Sequence, residues 1–413
     1  MILVDVNNQN TQQKLQDVLN KNRNSKIQVK RFIFAGGGTG GHIYPAVGIA
    51  QALQRLYPEI DLVFIGGHDR LESTLVPQQG FHFLPIAVEG FPRSLTLKWI
   101  TVIIKVCQGV MQSLKYLKEL KPDVVIGTGG YVSGPVLFAA WLMDIPIAIQ
   151  EQNVSPGLTN SILARWAKAA YLALPPNTQR FPEHIIQITG NPIRPGITDH
   201  PRNDETYKKY NLSPYRKTVF VMGGSQGARA INEAMIDACP LINMFDTSIE
   251  RKMNRDSIVP VNNSYSCKIQ IVHQTGKSQV EEVRDAYDQH GIPHHVQSFF
   301  DTVEEIYSIT DVMICRAGGM TVSEVTACGI PAIFIPLPAA IGNNQVTNAK
   351  SVANAGAAVV LEQDMFTPDV LVEQLFNILT EEETYQQMRT ASENLGRPFA
   401  CDTIAKSLYK LTE

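Results

Sequence analysis

The sequence predicts an α/β protein of two domains, each a parallel sheet covered by helices on both faces. Three observations carry this. The chain has 413 residues, more than one hydrophobic core usually accommodates. From Arg31 onward, short apolar runs alternate with helix-patterned segments, as in a parallel sheet buried on both sides. The unit that opens this alternation, an apolar strand, a glycine turn and a helix at Phe32 to Leu53, recurs at Thr218 to Cys239.

The first unit reads FIFAGGGTGGHIYPAVGIAQAL. Phe32, Ile33 and Phe34 form the strand, and Gly36, Gly37, Gly38, Gly40 and Gly41 demand a turn without side chains. Ile43, Val47, Ala50 and Leu53 then recur at helical spacing, with Pro45 expected in the first helical turn. Strands follow at Leu62 to Ile65, Phe83 to Val88, Asp123 to Ile126 and Ile145 to Ile149. GNPIRPG, from Gly190, breaks regular structure and suits a hinge. Beyond it come the second glycine unit, a polar stretch at Leu241 to Ser266 expected as a surface excursion, and strands at Ile269 to Val272, Val312 to Cys315 and Ala332 to Ile335. A last helix is expected over Thr403 to Leu411, packing back across the hinge. Residues 1–30, rich in Asn, Gln and Lys, form an extension with a short helix around Thr11 to Leu19.

With 36 basic and 39 acidic residues there is no net field to recruit nucleic acid. Six scattered cysteines, with no CxxC pair or metal-ligand spacing, read as reduced thiols of a cytosolic protein, and no metal is expected. There is no signal-peptide pattern and no apolar run of about 18 residues, so the expectation is neither secretion nor a membrane span.

The chemistry gathers at strand ends. GGGTGGH contains the letters of the dinucleotide fingerprint at Gly36, Gly38 and Gly41, but Gly66, Gly67 and His68 stand where a ribose-binding acid belongs, which argues against an NAD enzyme. Backbone N–H groups at the helix start form an anion cradle, and His42 at its rim is a candidate general base or acid. GTGGYVSGP, at Gly127 to Pro135, and QEQN, at Gln150 to Asn153, follow two further strands; the latter offers Glu151 for catalysis, hydroxyl recognition or turn capping. GGSQGAR, at Gly223 to Arg229, is a second cradle suited to a diphosphate. In CRAGGMTVSE, at Cys315 to Glu324, the helix start suits phosphate and Glu324 suits two ribose hydroxyls; Thr321 and Glu324 also have the spacing of a capping box. The amides at Asn343, Asn344, Gln345 and Asn348 suit sugar hydroxyls. Phe91 to Lys121 mixes apolar and basic residues, a pattern that fits an anionic membrane surface or a core-packed helix with a solvated lysine face.

Taken in order, GGGTGGHIYPA, GTGGYVSGP, EQNVSPGLTN, GNPIR, GGSQGAR, CRAGGMTVSE and NQVTNA resemble the MurG family from about Arg31 to the C-terminus. These are peripheral membrane glycosyltransferases that add N-acetylglucosamine to the lipid-linked muramyl-pentapeptide of peptidoglycan synthesis. The resemblance implies a GT-B fold, two Rossmann-like parallel-sheet domains facing a cleft. It assigns residues 31–193 to the acceptor and membrane, with helix 398–413 returning to them, and residues 194–397 to the donor. It places the acceptor diphosphate near Thr39, Gly40 and Gly41, and Asn153 in the cleft. UDP-N-acetylglucosamine falls to Arg194, Ser225, Phe300, Gly319, Met320, Thr321, Val322, Ser323, Glu324, Gln345 and Asn348. Asn344 stands where the family has histidine or glutamine, and Phe300 where it is often aliphatic.

The implied reaction is inverting transfer of GlcNAc from UDP-GlcNAc to the 4-hydroxyl of undecaprenyl-diphospho-MurNAc-pentapeptide (lipid I), giving lipid II, with no cofactor. No DxD motif stands beside the donor residues, in keeping with metal-free departure. His42 is the first candidate base and Glu151 the second. Phe91 to Lys121 docks the enzyme peripherally on the cytoplasmic face of the inner membrane. A UDP-GlcNAc 2-epimerase or a non-catalytic nucleotide-sugar-binding regulator would share the donor site but need no acceptor cradle.

Overall fold

The computed structural model describes Gln13, Gln16 and residues 29–90, 98–176, 179–194, 196–224, 227–256, 268–338 and 343–413, with backbone alone at 98 and 245–256. The helix expected around Thr11 to Leu19 lies largely outside these residues. Two compact units form, Met1–Arg194 with Phe399–Glu413, and Pro195–Pro398.

The first unit contains strands β1 (Arg31–Gly36), β2 (Asp61–Gly67), β3 (His82–Ile86), β4 (Val124–Gly129), β5 (Ile147–Glu151), β6 (Ala169–Leu172) and β7 (Ile186–Ile188). They form one parallel sheet in the order β3-β2-β1-β4-β5-β6-β7. Side chains alternate between its faces. Phe32 and Phe34 join a core with Ile43, Val47 and Leu53 of helix Gly40–Leu56, and with Ile404, Ala405 and Leu408 of helix Ala400–Lys410. Ile33 and Ala35 point the other way, into a core with Tyr116, Leu117 and Leu120 of helix Lys98–Leu120 and Val136 and Leu137 of helix Ser133–Leu142. The C-terminal helix belongs to the first unit because Gly48 lets it approach: a Cβ there would meet Cys401 Sγ at 3.2 Å.

The second unit repeats the plan with β8 (Lys217–Met222), β9 (Ile269–Gln274), β10 (His294–Gln297), β11 (Val312–Cys315), β12 (Ala332–Phe334) and β13 (Ala358–Val360). Their order is β10-β9-β8-β11-β12-β13, again parallel. Val219 and Val221 face a core with Ile231, Met235 and Leu375, while Phe220, on the opposite face, meets Phe300 and Tyr307 edge-on. At the amino ends of the central strands, buried Asp311 accepts from Thr218 N–H at 2.7 Å and holds Arg202 through two bonds of 3.0 Å.

Three expectations change. Helix Gly40–Leu56 starts earlier than expected, so Pro45 lies in its second turn. The stretch from Leu241 is helical as far as Asp256, in a helix that begins at Arg229 and contains Pro240; Ile242 still reaches the core, which carries the helix past the proline. Four strands, β6, β7, β10 and β13, were not visible in the pattern, and none exceeds four residues.

Replacing Asp311 by Ala would strand the Thr218 N–H and the Arg202 guanidinium together. Chemical denaturation of Asp311→Ala is expected to show a loss of about 3 kcal/mol, with an unchanged fold by circular dichroism.

Candidate active site

In a parallel sheet, ligands collect at the carboxyl ends of the strands where the strand order reverses. In the first unit that point lies between β1 and β4, whose ends carry GGGTGGH and GTGGYVSGP. The two turns interlock. Gly129 and Gly130 have φ of 101° and 80°, and a Cβ on Gly130 would lie 2.3 Å from the Gly37 carbonyl oxygen. A Cβ on Gly129 would lie 2.7 Å from His42 Nδ1, and one on Gly36 would overlap the Thr128 hydroxyl. Glycine is required here by close approach as well as by backbone angle.

His42, in the first turn of its helix and half-buried, is held from one side. Its Nδ1 is 3.0 Å from the Thr128 carbonyl oxygen and 2.9 Å from Gln152 Oε1. A carbonyl can only accept, so Nδ1 carries the proton and Nε2 of the neutral ring keeps its lone pair. Among the described residues no partner is recorded at Nε2.

Glu151 has a different environment. It is 2% exposed, and its carboxylate accepts from the Asn153 backbone and side-chain N–H groups, from Gly157 N–H at 3.1 Å and from Asn160 Nδ2 at 2.8 Å. With both oxygens occupied, it organises the loop after β5. Asn153 is thereby fixed to the candidate base of second rank, not held apart from it.

Thr39, Gly40 and Gly41 open the helix. Thr39 is its N-cap but makes no side-chain capping bond; His42 and Ile43 N–H bond the Thr39 carbonyl, and the Gly40 and Gly41 N–H groups have no intrahelical acceptor. These remain suited to an anion. Gly38 N–H is not part of that cradle, because fully buried Glu72 takes it at 3.0 Å and Gly67 N–H at 3.0 Å. Sequence reasoning missed Glu72. Its tie to two glycines after β1 and β2 is a tertiary feature with no local signal.

The second unit's switch point lies between β8 and β11. Gly223 and Gly224 follow β8; Ser225 lies outside the described residues. A Cβ on Gly227 would lie 2.0 Å from the Thr275 carbonyl oxygen. Gln274 ties this turn to Phe300, donating to Gly224 O at 3.2 Å and accepting from Phe300 N–H at 3.0 Å. The Phe300 ring is buried near Tyr210, Phe220 and His295, so its side chain belongs to the core. Arg194, the last residue of the first unit, is exposed.

After β11, helix Gly319–Ala327 has Gly318 as its N-cap, which overturns Thr321 as the head of a capping box: Thr321 lies within the first turn. Met320 and Thr321 are half-buried, Val322 is in the core, and Ser323 Oγ donates to Gly319 O at 3.0 Å. Glu324 is buried and accepts from Tyr307 O–H at 3.1 Å. Gln345 Oε1 accepts from Leu337 N–H at 2.9 Å and Asn348 Nδ2 donates to Ala317 O at 3.2 Å, which brings both amides beside this helix start. Arg316, also missed from sequence, is buried between β11 and the helix. It bonds the Ile335 carbonyl at 2.9 Å and Gln363 Oε1 at 2.7 Å, and burial lowers its pKa. Both acceptors are neutral.

Beneath the Gly227 turn lies a buried chain of bonds. Asn232 Nδ2 donates to Thr275 O at 2.9 Å and Gln279 Oε1 at 3.0 Å, so its Oδ1 faces His273 Nε2 at 3.1 Å. Tyr287 O–H then donates to His273 Nδ1 at 2.8 Å. Burial pushes His273 down to about 3, keeping it neutral.

Helix Lys98–Leu120 buries Val102, Tyr116, Leu117 and Leu120 yet leaves Ile100, Ile103 and Ile104 exposed at 59%, 53% and 52%. Exposed Phe138 and Leu142 lie on helix Ser133–Leu142, which packs against it. Phe91, Arg93, Leu95 and Leu97 lie outside the described residues. Among the described residues no helix is long and apolar enough to cross a membrane.

Comparison with known proteins fits these two sites. Residues 32–172 match the glycosyltransferase family 28 N-terminal domain, and residues 218–404 match the family 28 C-terminal domain. The chain belongs to glycosyltransferase family 28, a class of enzymes that transfer sugars. Within it the chain is a member of the MurG group. A relative from Halothermothrix orenii is 39% identical over 91% of this chain and 97% of its own, and one from Bacillus cereus is 35% identical over 93% and 100%. Both are named UDP-N-acetylglucosamine--N-acetylmuramyl-(pentapeptide) pyrophosphoryl-undecaprenol N-acetylglucosamine transferase. The crystal structure of Acinetobacter baumannii MurG superimposes with a TM-score of 0.71 at 30% identity, covering 92% of this chain and 99% of that one. A UDP-N-acetylglucosamine 2-epimerase shares the fold, with a TM-score of 0.55 at 15% identity.

The His273 network gives a pH prediction. The unfolded chain takes up a proton below its ordinary value of 6.5 while the folded ring does not, so this residue's contribution is whole above that pH and is lost as pH falls toward 3. Denaturation of the protein is expected to show about 1.4 kcal/mol lost per pH unit in that window from this group. The slope should flatten in His273→Gln, measured by urea titration at several pH values.

Proposed function

We propose that the chain transfers GlcNAc from UDP-GlcNAc to the 4-hydroxyl of lipid I, forming lipid II, with inversion at the anomeric carbon. The single observation that carries the reading is His42: an imidazole held through Nδ1–H, with its unprotonated Nε2 beside a helix N-terminus suited to a diphosphate. In this reading Thr39, Gly40 and Gly41 receive the acceptor diphosphate, and Asn153 lies nearby on a loop braced by Glu151. His42 Nε2 takes the proton of the 4-hydroxyl as that oxygen bonds to the anomeric carbon. The bond from that carbon to the UDP oxygen breaks, and both electrons leave with UDP.

The donor falls to the second unit. Glu324 accepts from the ribose hydroxyls, and the N–H groups opening helix Gly319–Ala327, with Arg316, offset charge gathering on the diphosphate. We also assign to the donor Ser225, Arg194, Phe300, Gln345, Asn348 and, through its backbone, the stretch Met320 to Ser323. Glu151 is assigned to the loop because all its lone-pair directions are used by neighbouring donors. The apolar surface of Ile100, Ile103 and Ile104 docks the enzyme peripherally at the cytoplasmic face of the membrane, where a lipid-linked acceptor is presented.

The deciding experiment is UDP release from UDP-GlcNAc by the purified protein, with and without a lipid-linked muramyl-pentapeptide in detergent. Release that requires the acceptor and yields a disaccharide-lipid is expected; acceptor-independent release with N-acetylmannosamine would overturn the reading in favour of an epimerase. His42→Ala is expected to lower kcat by about 10²-fold or more, and near-normal turnover would remove it as the base. Ile103→Glu combined with Ile104→Glu is expected to weaken sedimentation with anionic vesicles about tenfold.

A further inference from the structure

The geometry points to Gln152 as the positioning residue of the base, the head of an amide chain Gln152–Gln150–Asn191 that holds the His42 ring with its proton on Nδ1. This rests on reading His42 as the base. The direction of every bond follows from the partners. Gln152 Nε2 donates to the Thr128 carbonyl at 2.7 Å and to Gln150 Oε1 at 2.5 Å. Both are acceptors, so the amide cannot rotate end for end without placing oxygen against oxygen. Its Oε1 therefore faces His42 Nδ1 at 2.9 Å.

Gln150 is fixed in the same way. Its oxygen is used by Gln152, and its Nε2 donates to Asn191 Oδ1 at 3.0 Å. Asn191 is 1% exposed, and its Nδ2 is a buried donor with no acceptor among the described residues. An unpaired buried amide costs free energy, and it is accepted here at the end of a chain whose other bonds are all satisfied. Gln150, Gln152 and Asn191 are buried and uncharged, so the chain orients the imidazole without placing a second ionised group beside it.

The Thr128 carbonyl is the hinge of this arrangement, since it accepts from His42 Nδ1 and from Gln152 Nε2 at once. Without Gln152, one acceptor remains for Nδ1–H and nothing on the far side of that N–H restrains the ring. The base would stay in place on average but spend less time with Nε2 aimed at its proton. Such a loss acts on turnover more than on substrate binding.

The test uses the full-length protein labelled with ¹⁵N in its histidine rings. Two-dimensional NMR of the neutral form, with the His42 signals assigned by their absence from His42→Gln, is expected to show Nδ1 protonated and Nε2 bare. Protonation at Nε2 would overturn the proposal whatever the kinetics. Gln152→Met keeps the side-chain length and removes both the acceptor and the donors. It is expected to lower kcat about tenfold with both KM values changed less than threefold, and to populate the second tautomer or broaden the His42 signals. Gln150→Met should give a smaller loss of the same kind. An unchanged His42 spectrum in Gln152→Met would overturn the positioning role. A spectrum that changes while turnover does not would instead leave the positioning intact and remove His42 as the base.

Discussion

The bond from His42 Nδ1–H to the Thr128 carbonyl is the constraint on which the rest of the first unit's site depends. It joins the helix after β1 to the end of β4, the two strands between which the sheet reverses its order. To form it, the backbones must approach so closely that Gly36, Gly129 and Gly130 can carry no side chain, while Gly37 is kept bare by Glu72. The reciprocal bond from the Thr128 hydroxyl to the His42 carbonyl, 2.8 Å, locks the contact from the other direction. This contact accounts for the glycines at the β1–β4 junction, and with the Gln152 amide it sets the ring's orientation and which nitrogen is left basic.

The second unit repeats the sheet order but not the chemistry. Here glycine interlocks the turns after β8 and β9, Gly227 against Thr275, and the buried histidine below them, His273, has both nitrogens occupied and serves only to hold the turn. What this unit offers instead is the start of helix Gly319–Ala327, with the positive end of its dipole. The same backbone plan presents an orientable base in one copy and fixed dipoles in the other. Fold alone does not separate these roles, as the likeness to an epimerase makes plain.

Much of this was legible because it is local. A strand, a glycine cluster and a helix are written consecutively, and so both switch points and the residues at their rims could be named from the sequence. Strands of three or four residues, such as β7 and β13, fall below the length at which periodicity distinguishes anything. Pro45 lies a turn deeper in its helix than expected, and the stretch from Leu241 stays helical past Pro240, because tertiary packing carries a helix past a missing N–H when Val47 or Ile242 on the same helix is buried. Glu72 was invisible as a site residue, and Gln152 and Arg316, though inside named motifs, were given no role of their own, for a different reason. Each acts through a partner remote in sequence, and a lone carboxylate, amide or guanidinium carries no mark of which backbone group it will meet.

The first unit is completed by helix Ala400–Lys410, whose Ile404, Ala405 and Leu408 close the core begun by Phe32 and Phe34. During synthesis, then, the earliest strands emerge from the ribosome some 370 residues before the segment that covers them. The intervening unit, continuous in the chain, can fold ahead of the one that precedes it. Until the last turns arrive, a face of the first sheet's helix layer stays uncovered, an apolar surface that chaperones bind and proteases find. A chain stopped before Ile404 would expose that surface although every residue of both switch points had been made.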